Sequence, residues 1–425
     1  MKNTDYFKGK KITVVGLARS GFACARLLAR IGSRVKVTEA RDNAQIRALA
    51  DALRRDSVAI ELGRHSEDFI RGQDLLVVSP GVDNRSQAMV MAHSLGIPVI
   101  GEIELSWQLC PATVIATTGT NGKTTVTDLL GRLIEAAGKR VHVCGNIGNP
   151  FAGEVEKMRE GDYVSLEISS FQLETIATFK PHIALILNIT ADHFNRYRDM
   201  QEYLQVKKRL FMNQDKDDCL LLNYLDPLLR QIENEVRSKV VYFNDVKDYG
   251  LNPNQHAVLR VAQMLGISDD TAFKVFKDFK GLEHRMEYVG ELRGIEFIND
   301  SKSTNAEAGT WALQNVLRPV VLIAGGSDKG LDYTGLKGLI KSKVKNVILI
   351  GQMRQKIRKA WEGAAPVEEA DSLSDALQKA YRSAERGDCV LLSPMCASFD
   401  MFKDYEHRGR VFKEEVRKLI EKGAH

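Results

Sequence analysis

The stretch "TVIATTGTNGKTT", residues 113–125, joins an apolar run to a loop of small and hydroxyl residues that ends in Gly-Lys-Thr-Thr. This pattern predicts a β-strand, a tight turn and the start of a helix. Successive backbone N–H groups and the helix N-terminus attract phosphate, Lys123 adds a cation, and Thr124 adds a hydroxyl group for Mg²⁺. The standard phosphate loop has a glycine where Thr117 stands. The stretch therefore predicts a variant phosphate loop in an α/β domain.

Short apolar runs that end in glycine or polar residues recur along the chain. They are KITVVG, LLVVSPG, TVIATTG, YVSLEISS, IALILNIT, CLLLN, IEFIND, PVVLIAGG, NVILIG and CVLLSP, and VKVTEAR adds a further strand. Most are separated by segments with helical periodicity. Continuous apolar strands that alternate with helices indicate parallel sheets covered on both faces. Ligands of such sheets bind at the carboxyl ends of the strands.

The length of the chain, 425 residues, exceeds what one hydrophobic core usually supports. Three blocks can be recognised, at about 1–102, 103–281 and 282–425. The first begins with a strand, a glycine turn and a helix, the second opens with the phosphate loop, and the third holds the last four apolar runs. We therefore expect three α/β domains with these boundaries.

Composition excludes several classes of function. Lys and Arg number 60 against 55 Asp and Glu, an excess too small to indicate a nucleic-acid-binding or membrane-binding surface. No apolar run approaches the roughly 18–20 residues of a membrane helix, and the N-terminus resembles a first strand rather than a signal peptide. The six cysteines are scattered without a C-x-x-C pair. We expect a reduced, cytoplasmic protein.

The segment "GLARSG", residues 16–21, follows the first strand and resembles a dinucleotide-binding turn. Ala18 stands where the middle glycine of that turn is found. Glu39 comes about twenty residues later, where a ribose-binding acid would lie. Two interpretations stay open: a tight turn without a ligand, and a site for a nucleotide or a nucleotide-sugar.

Acidic and imidazole side chains follow two strands of the second block. Glu167 ends "YVSLE", and Asp192 and His193 follow "LNIT". A lone acid is more often a solvated or capping group, and a lone histidine is usually structural. The three-ligand spacing of a zinc site is absent. Beside a phosphate loop, however, these side chains are candidates for a hard metal ion that accompanies the nucleotide.

Lys207 interrupts an apolar stripe on the helix predicted over residues 200–211. Met200, Tyr203, Leu210 and Lys207 recur at helical spacing, so the lysine lies in the middle of the apolar face. It either extends to water or is desolvated, with a lowered pKa. A neutral buried amine could act as a nucleophile or take up CO₂ as a carbamate. From the pattern alone, extension to water or pairing with an acid is favoured.

Cationic side chains follow the strands of the third block. They are Arg285, Lys302, Lys329 and Arg408. Each one alone would be read as a surface charge. Several of them at strand ends suggest an anionic substrate, because guanidinium and ammonium groups pair with phosphate or carboxylate.

Taken in order, eight motifs resemble those of the Mur ligase family over nearly the whole chain. They are TGTNGKTT, GNIGNP, LEISSFQLE, LNITADH, YLQVKKRLF, LEHRME, NDSKSTN and SPMCASFDMFKDYEHRG. The resemblance implies a Rossmann-like N-terminal domain that binds a UDP-sugar, a central P-loop ATPase-type domain with a parallel sheet, and a Rossmann-like C-terminal domain that binds an amino acid. It is strongest, through SSFQLE and CASFDMF, to the members that add D-glutamate to UDP-N-acetylmuramoyl-L-alanine.

The resemblance implies an ATP- and Mg²⁺-dependent amide ligase of cytoplasmic peptidoglycan synthesis, and thus of cell-wall growth and division, acting as a monomer. ATP would phosphorylate the alanyl carboxylate, and the amine of D-glutamate would attack the acyl phosphate. The alternatives are a sibling ligase or folylpolyglutamate synthase that adds another amino acid, a P-loop switch protein and a nicotinamide dehydrogenase.

The resemblance also implies roles for individual residues. The expected catalytic residues are Lys123, His193 and Lys207, the last of these carbamylated. The expected ATP contacts are Gly119, Thr120, Asn121, Gly122, Lys123, Thr124, Thr125, Asn254, Arg285 and Asp300. The expected contacts of the UDP-substrate are Ser20, Arg41, Ser79 and Asn146. The expected contacts of D-glutamate are Thr304, Lys329, Ser398, Phe399 and Tyr405, and the expected magnesium ligands are Thr124, Glu167, His193 and Lys207.

Three positions depart from the family pattern. Ala257 stands where the adenine motif usually has a second asparagine, which puts the details of adenine binding in question. Tyr405 stands where phenylalanine can occur. Ala40 replaces a hydroxyl residue next to Arg41, so that one uracil contact is expected to be missing.

Overall fold

The computed structural model of the protein describes residues 1–83, 85–192, 196–245, 250–328 and 331–423. The chain divides into two units. The first comprises Met1–Ile189 and Gln201–Phe279, and the second comprises Thr190–Met200 and Lys280–His425. Two sheets belong to the first unit and one to the second. In the described part of the chain, no helix has the length and apolarity needed to span a membrane.

The first sheet contains five parallel strands connected by helices. The strands are β1 (Lys11–Val15), β2 (Arg34–Glu39), β3 (Ala59–Leu62), β4 (Leu75–Val78) and β5 (Val99–Gly101), and the helices are α1 (Thr4–Phe7), α2 (Arg19–Arg30), α3 (Ala44–Arg54), α4 (Glu67–Ile70), α5 (Gln87–Ser94) and α6 (Glu102–Leu109). Their order in the sheet is β3-β2-β1-β4-β5. Connections run in opposite directions from β1 and β4, and such a switch point is where open α/β sheets bind ligands. The glycine turn "GLARSG" follows β1 at this point.

The second sheet contains six parallel strands. The strands are β6 (Thr113–Thr118), β7 (Val141–Gly145), β8 (Tyr163–Glu167), β9 (Ile183–Ile186), β10 (Cys219–Asn223) and β11 (Lys239–Phe243), and the helices are α7 (Lys123–Ala136), α8 (Phe151–Glu154), α9 (Ser170–Leu173), α10 (Met200–Lys208), α11 (Pro227–Gln231), α12 (Pro253–Met264) and α13 (Asp269–Asp278). Short 3₁₀ turns cover Val155–Lys157, Arg209–Phe211 and Glu233–Glu235. The order is β11-β10-β9-β6-β8-β7, so the strand before the phosphate loop lies inside the sheet.

The third sheet, in the second unit, also contains six strands. The strands are β12 (Glu287–Leu292), β13 (Ile295–Asn299), β14 (Val320–Gly325), β15 (Val344–Ile350), β16 (Val367–Glu369) and β17 (Cys389–Leu392), and the helices are α14 (Ala306–Asn315), α15 (Lys337–Lys343), α16 (Arg354–Ala360), α17 (Leu373–Ser383) and α18 (Tyr405–Gly423), with a 3₁₀ turn at Thr334–Leu336. The order is β12-β13-β17-β14-β15-β16. The carboxyl ends of β13, β14 and β17 carry the motifs that the sequence singled out.

The third sheet has one antiparallel strand at its edge and is otherwise parallel. β12 runs antiparallel to β13. The two are joined by Arg293 and Gly294 alone, with φ values of 53° and 83°. Two consecutive left-handed residues form the primed turn that matches the twist of a β-hairpin. A two-residue connection cannot return a strand to a parallel neighbour, so the short turn fixes the direction of β12.

Burial on both faces explains the continuous apolar runs. Leu322 and Ala324 of β14 belong to one hydrophobic cluster of the second unit. Val321 and Ile323 of the same strand belong to another. Successive side chains of a strand point to opposite faces, so a strand covered by helices on both sides needs apolar residues at every position. The sequence "VVLIAG" follows from this requirement.

Helix α6 attaches the first sheet to the second through two buried carboxylates. Glu104 accepts hydrogen bonds from the N–H groups of residues 177–179 at 2.9–3.0 Å and from the Thr178 hydroxyl group. Glu102 accepts one from the N–H of Ala152, which lies in α8, at 2.8 Å. These backbone groups belong to the middle of the chain, so the two glutamates fix the position of the first sheet against the second.

The two glutamates differ in their electrostatic state. Burial raises the pKa of Glu102 to about 7, and hydrogen bonds from Ala152, Phe151, Ser106 and Gln172 only partly oppose this rise. One of its carboxyl oxygens, Oε2, has no hydrogen-bond partner among the described residues. A buried carboxyl group without full compensation favours its protonated form. The contact between the first and second sheets therefore contains a carboxyl group, that of Glu102, whose pKa lies near neutral pH.

We expect Glu104→Gln to destabilise the protein. The substitution keeps the shape of the side chain but turns an amide N–H₂ toward backbone donors, so at least one buried N–H loses its acceptor. The expected loss is about 3 kcal/mol of unfolding free energy, measured as a lower midpoint in urea denaturation. Gln108→Ala is the control, because Gln108 only donates one side-chain hydrogen bond to Glu104 at 2.7 Å. Equal midpoints for the two variants would contradict the role of Glu104.

We expect Glu102→Gln to change how stability depends on pH. The folded pKa of Glu102, about 7, lies above the ordinary value of 4.5. Its contribution to stability is therefore complete below pH 4.5 and is lost as the pH rises through 7. Relative to wild type, the variant should gain at most about 3 kcal/mol between pH 5 and pH 8. Thermal denaturation at both pH values tests this. Glu160→Gln, a substitution of an exposed glutamate, should show no such gain. If the stability difference between Glu102→Gln and wild type is the same at pH 5 and pH 8, the raised pKa of Glu102 is refuted.

Candidate functional site

The phosphate-loop candidate lies between β6 and α7. Gly119 and Gly122 have φ values of 146° and 84°, which side chains rarely adopt. A Cβ atom on Gly122 would lie 2.4 Å from Oδ1 of Asn254. Thr117 is part of β6 and pairs with Glu167 of β8, so the position that is glycine in the standard loop is strand here. The loop backbone can therefore approach a ligand closely although that glycine is absent.

Asn188 holds the loop from the neighbouring strand. Its Oδ1 accepts a hydrogen bond from the N–H of Asn121 at 2.8 Å, and its Nδ2 donates to the carbonyl of Asn121 at 3.1 Å. Its own carbonyl accepts from the N–H of Thr120 at 3.0 Å. Sequence analysis did not single out Asn188, although it lies in the motif "LNITADH". The position of β9 beside β6 gives it this role.

Two lysines converge on the carbonyl oxygen of Gly119. Nζ of Lys123 donates to it at 2.9 Å, and Nζ of Lys207 donates to it at 3.0 Å. The two Nζ atoms, 2.9 and 3.0 Å from the same oxygen, can therefore be at most 5.9 Å apart. Two ammonium groups at this distance favour an anion between or beside them. The predicted phosphate site thus brings two lysine side chains to one carbonyl oxygen.

Lys207 is buried and does not extend to water. Its exposed fraction is 1%. Besides Gly119, its Nζ donates to the Thr118 hydroxyl group at 3.2 Å and lies 4.7 Å from the ring centre of Tyr203. Lys208, next in sequence, pairs with Glu235 instead. The interpretation of Lys207 as a snorkelling lysine was wrong, because its side chain runs inward from the apolar face to the phosphate loop.

Glu167 fits a magnesium ligand. Oε1 accepts a hydrogen bond from Nδ2 of Asn146 at 2.8 Å, whereas Oε2 is buried without a hydrogen-bond partner among the described residues. Carboxylate and hydroxyl oxygens are the ligands that Mg²⁺ prefers. Thr124 is the second residue of α7, which follows β6, and β6 is the neighbour of the strand that ends at Glu167. The described residues contain no group of three or more His, Cys, Asp and Glu side chains that could hold a metal ion by themselves. This donor set therefore fits a hard cation that shares its ligands with a nucleotide.

A cleft of ≈ 710 Å³ lies at the carboxyl ends of the first sheet. It is lined by all four residues predicted to contact the UDP-substrate, and also by His65 and Gln172, which sequence analysis missed. The four are Ser20, Arg41, Ser79 and Asn146. Asn146 also donates to Glu167, so it connects this cleft to the candidate metal ligand of the second sheet.

Glu39 positions Arg41 in the cleft. Its carboxylate accepts hydrogen bonds from the N–H of Leu17 at 2.7 Å and from the N–H and Nε of Arg41 at 2.9 and 3.0 Å. Burial favours the protonated acid, but these hydrogen bonds outweigh it and hold the pKa of Glu39 below its usual value. The carboxylate expected to bind a ribose thus fastens the turn after β1 and the guanidinium of Arg41.

Two predicted residues, His193 and Lys329, lie outside the described residues. Asp192, next to His193, is buried and its carboxylate accepts a hydrogen bond from Nδ2 of Asn305 at 3.2 Å. Asn305 caps the N-terminus of α14. Asp192 is therefore tied to the loop that carries the motif "NDSKSTN".

Arg285 lies between two residues with left-handed backbone, His284 and Met286, whose φ values are 64° and 46°. Its guanidinium lies 6.0 Å from the ring centre of Trp311. Burial raises the pKa of Asp300 to about 7, and the charge of Arg285 and a hydrogen bond from Ser393 at 2.9 Å partly oppose this. Both predicted ATP contacts of the second unit thus belong to loops shaped by specific interactions.

The predicted D-glutamate residues that the structure describes lie on loops after β13 and β17 and at the start of α18. Ser398 is buried, whereas Phe399 has an exposed fraction of 74%. Nζ of Lys302 donates to the hydroxyl group of Tyr405 at 3.3 Å, so the structure adds Lys302 to this group. Thr304 is half-buried on the loop after β13. Lys302 was noted in the sequence as one of the cations that follow strands, but its contact with Tyr405 could not be predicted, because the two residues are far apart in the chain.

Arg408 is a buried residue that donates hydrogen bonds to backbone carbonyls. Its exposed fraction is 1%, and its guanidinium donates to the carbonyls of Ser301 and Cys396 at 2.8 and 3.1 Å. Burial lowers its pKa to about 10. The expectation that Arg408 faces an anionic substrate was wrong, because its donors hold the loops after β13 and β17 together. Ala257, at the departure from the adenine motif, is fully buried in the core.

Comparison with known protein families gives three matches in order along the chain. The Mur ligase MurD-like N-terminal domain matches residues 10–101, the Mur ligase middle domain matches 117–294, and the Mur ligase glutamate ligase domain matches 284–396. Their order corresponds to the first, second and third sheets. The chain therefore contains three Mur ligase domains.

Relatives and solved structures agree with these matches. The chain is 39% identical to the UDP-N-acetylmuramoylalanine–D-glutamate ligase of Caldanaerobacter subterraneus subsp. tengcongensis (97% of this chain, 99% of the relative) and 41% identical to that of Caldicellulosiruptor bescii (98% and 99%). The MurF ligase of Thermotoga maritima in complex with ADP superposes with a TM-score of 0.62 at 14% identity, covering 99% of this chain and 98% of the other. UDP-N-acetylmuramate-alanine ligase MurC from the same organism gives a TM-score of 0.59 at 17% identity, with 96% and 100% covered. The chain belongs to the Mur ligase family, in its MurD-like branch.

Proposed function

We propose that the protein is an ATP-dependent ligase that joins D-glutamate to UDP-N-acetylmuramoyl-L-alanine in peptidoglycan synthesis. The observation that carries this is the identity of 39–41%, over nearly the full length of both chains, to ligases named for that reaction. The phosphate loop with two converging lysines and the cleft at the first sheet support it. A sibling ligase that adds another amino acid is the alternative that the test must exclude.

In the proposed reaction, the alanyl carboxylate of the UDP-substrate attacks the γ-phosphorus of ATP and forms an acyl phosphate, and ADP leaves. The amine of D-glutamate then attacks the acyl carbon, phosphate leaves, and the amine proton passes to solvent. Lys123 and the N–H groups of residues 119–125 bind the phosphates and stabilise charge on the transferred group. The described glycines allow the backbone to come close enough for this.

We assign magnesium to Thr124 and Glu167, with His193 and Lys207 as the further ligands expected from the family. The buried Oε2 of Glu167 supports this assignment. When bound, Mg²⁺ neutralises phosphate charge and polarises the γ-phosphoryl group. Thr124 lies in the first turn of α7, the helix that follows β6, and Glu167 ends β8, the neighbour of β6 in the sheet, so both residues belong to rigid elements of one domain.

Lys207 is proposed to act as a carbamate. The ammonium group would first lose a proton, and the neutral amine nitrogen would then form a bond to the carbon of CO₂ and lose a second proton, so that a cation becomes an anion. The burial of Lys207 and its closeness to Lys123, at most 5.9 Å between Nζ atoms, support this. A negative group there would relieve the repulsion between two ammonium groups. It would also supply oxygen ligands to Mg²⁺ beside Lys123.

The remaining assignments follow the same family pattern. The UDP-substrate is assigned to Ser20, Arg41, Ser79 and Asn146, and the ATP contacts beyond the loop are assigned to Asn254, Arg285 and Asp300. D-Glutamate is assigned to Thr304, Lys329, Ser398, Phe399 and Tyr405, to which we add Lys302. The boundaries 1–102, 103–281 and 282–425 are proposed for the three domains.

We further propose that the protein acts in the cytoplasm as a monomer, and that its product serves cell-wall growth, cell shape and division. Six free thiols, five of them buried, support a reducing compartment. Burial raises the pKa of Cys24 and Cys144 well above the usual value, so these thiols are poor nucleophiles.

Release of phosphate from ATP tests the function. With Mg²⁺ and UDP-N-acetylmuramoyl-L-alanine present, a panel of amino acids should give release with D-glutamate alone, and mass spectrometry should detect the amide. L-Glutamate serves as the matched control, since it differs only in configuration. Release with another amino acid would move the protein to a sibling ligase. No release with any amino acid would contradict the assignment of the UDP-substrate.

Lys207→Ala should lower kcat on the order of 10³-fold, because a buried charged group beside the transferred phosphate is lost. High bicarbonate or added chloride should restore part of the activity by supplying an anion. ¹³C-labelled bicarbonate should give a carbamate signal in NMR of wild type that Lys207→Ala lacks. Lys208→Ala, which removes the neighbouring lysine paired with Glu235, is the control and should stay near wild-type activity. Full activity of Lys207→Ala would refute the role of this lysine.

A further inference from the structure

His65 is a cleft residue to which no role has been assigned. It follows β3, is half-buried, and lines the cleft that also contains Arg41 and Ser79. Its ring nitrogen Nδ1 lies 2.8 Å from the hydroxyl oxygen of Thr38, which is fully buried. Nδ1 therefore fixes the imidazole ring to the wall of the cleft. Its other nitrogen, Nε2, is the polar atom that remains for a ligand in the cleft.

The surroundings of Thr38 decide which nitrogen of His65 carries the proton. The Thr38 hydroxyl oxygen also lies 3.1 Å from Oε2 of Glu61 and 3.0 Å from the carbonyl of Arg64. A carbonyl oxygen and an ionised carboxylate only accept hydrogen bonds, and a hydroxyl group has one proton to donate. That proton is taken up by these acceptors. Nδ1 of His65 is then satisfied by donating its own proton to the Thr38 oxygen.

The protonation states of both groups agree with this arrangement. Burial favours the acid form of Glu61, but hydrogen bonds from Ser66, Thr38 and Arg64 outweigh it and lower its pKa, so the group is a carboxylate at neutral pH. Burial lowers the pKa of His65, although the charges of Glu39 and Glu61 oppose this. The ring is neutral at neutral pH. With the proton on Nδ1, Nε2 is a bare hydrogen-bond acceptor.

The position of His65 indicates which part of a nucleotide it meets. In the order β3-β2-β1-β4, the glycine turn after β1 and the start of α2 form the phosphate end of the cleft. His65 follows β3, two strands away, and neighbouring strands are about 4.8 Å apart, so the separation is about 10 Å. A ribose adjoins the phosphate, and the base lies beyond it. The geometry therefore places His65 at the base.

We propose that His65 recognises the uracil of the UDP-substrate by accepting a hydrogen bond from its N3–H at Nε2. This inference rests on the proposed function. It makes His65 a specificity-determining residue: uracil carries a donor at N3, whereas cytosine carries an acceptor there and would face the bare nitrogen of His65 with a second lone pair. The contact would offset the uracil contact that Ala40 is expected to remove.

Titration calorimetry of the full chain at pH 8 tests this with UDP, N3-methyl-UDP and CDP as ligands. Wild type should bind N3-methyl-UDP and CDP at least about tenfold more weakly than UDP, the effect of one lost buried hydrogen bond. His65→Ala should bind UDP about tenfold more weakly than wild type and should no longer distinguish UDP from N3-methyl-UDP. His93→Ala, an exposed histidine on α5, is the matched control and should bind all three ligands as wild type does.

The ligand series on wild type keeps the test valid even if His65→Ala does not fold. Equal affinity of wild type for UDP and N3-methyl-UDP would overturn the inference, as would unchanged discrimination in folded His65→Ala. Wild type is also titrated with 2′-deoxy-UDP: a large loss of affinity for this ligand with none for N3-methyl-UDP would move the contact to the ribose and overturn the inference as well. No binding of UDP by wild type would overturn the proposed function itself, a result distinguishable from the others.

Discussion

The carbonyl oxygen of Gly119 is the point on which the candidate site depends. Two lysines from different helices, Lys123 of α7 and Lys207 of α10, donate to this one acceptor. A carbonyl offers two lone pairs, so it can accept both hydrogen bonds. The loop is thereby fixed to two helices, and both cations are brought within reach of one ligand. The positive φ of Gly119, 146°, is the backbone condition that turns the carbonyl toward them.

From this point, hydrogen bonds extend across the first unit. Thr117, two residues earlier, pairs with Glu167, and Glu167 accepts from Asn146 at the edge of the substrate cleft. Beneath the same wall of the cleft, Glu102 holds the start of α8. Nucleotide loop, candidate metal ligand and substrate cleft thus share a continuous framework. A rigid framework of this kind places reacting groups without a further loss of entropy on binding.

Apolar runs predicted the strands that lie between two neighbours, and they failed at the sheet edges. β1, β6, β14 and β17 are covered on both faces and read as unbroken apolar segments, whereas β3, β5, β7, β11, β12 and β16 each lie at an edge. Edge strands such as β7, "VHVCG", alternate in burial and carry no such run. Lys207 stood out as an exception in the local apolar pattern, and Ser79 was named only through the family resemblance. The roles of His65, Asn188 and Lys302 could not be found in these ways, because they arise from strand order and from partners far away in the chain.

The edge strands, which lack apolar runs in the sequence, also affect the tendency of the protein to aggregate. An edge strand exposes unpaired backbone groups that can pair with another chain. Here β5 and β16 have three residues each, and β12 carries an irregularity between Tyr288 and Gly290 that breaks its ladder. Short or interrupted edges offer little length for intermolecular pairing. The same features that hide these strands from sequence analysis therefore protect one edge of the first sheet and both edges of the third from edge-to-edge aggregation.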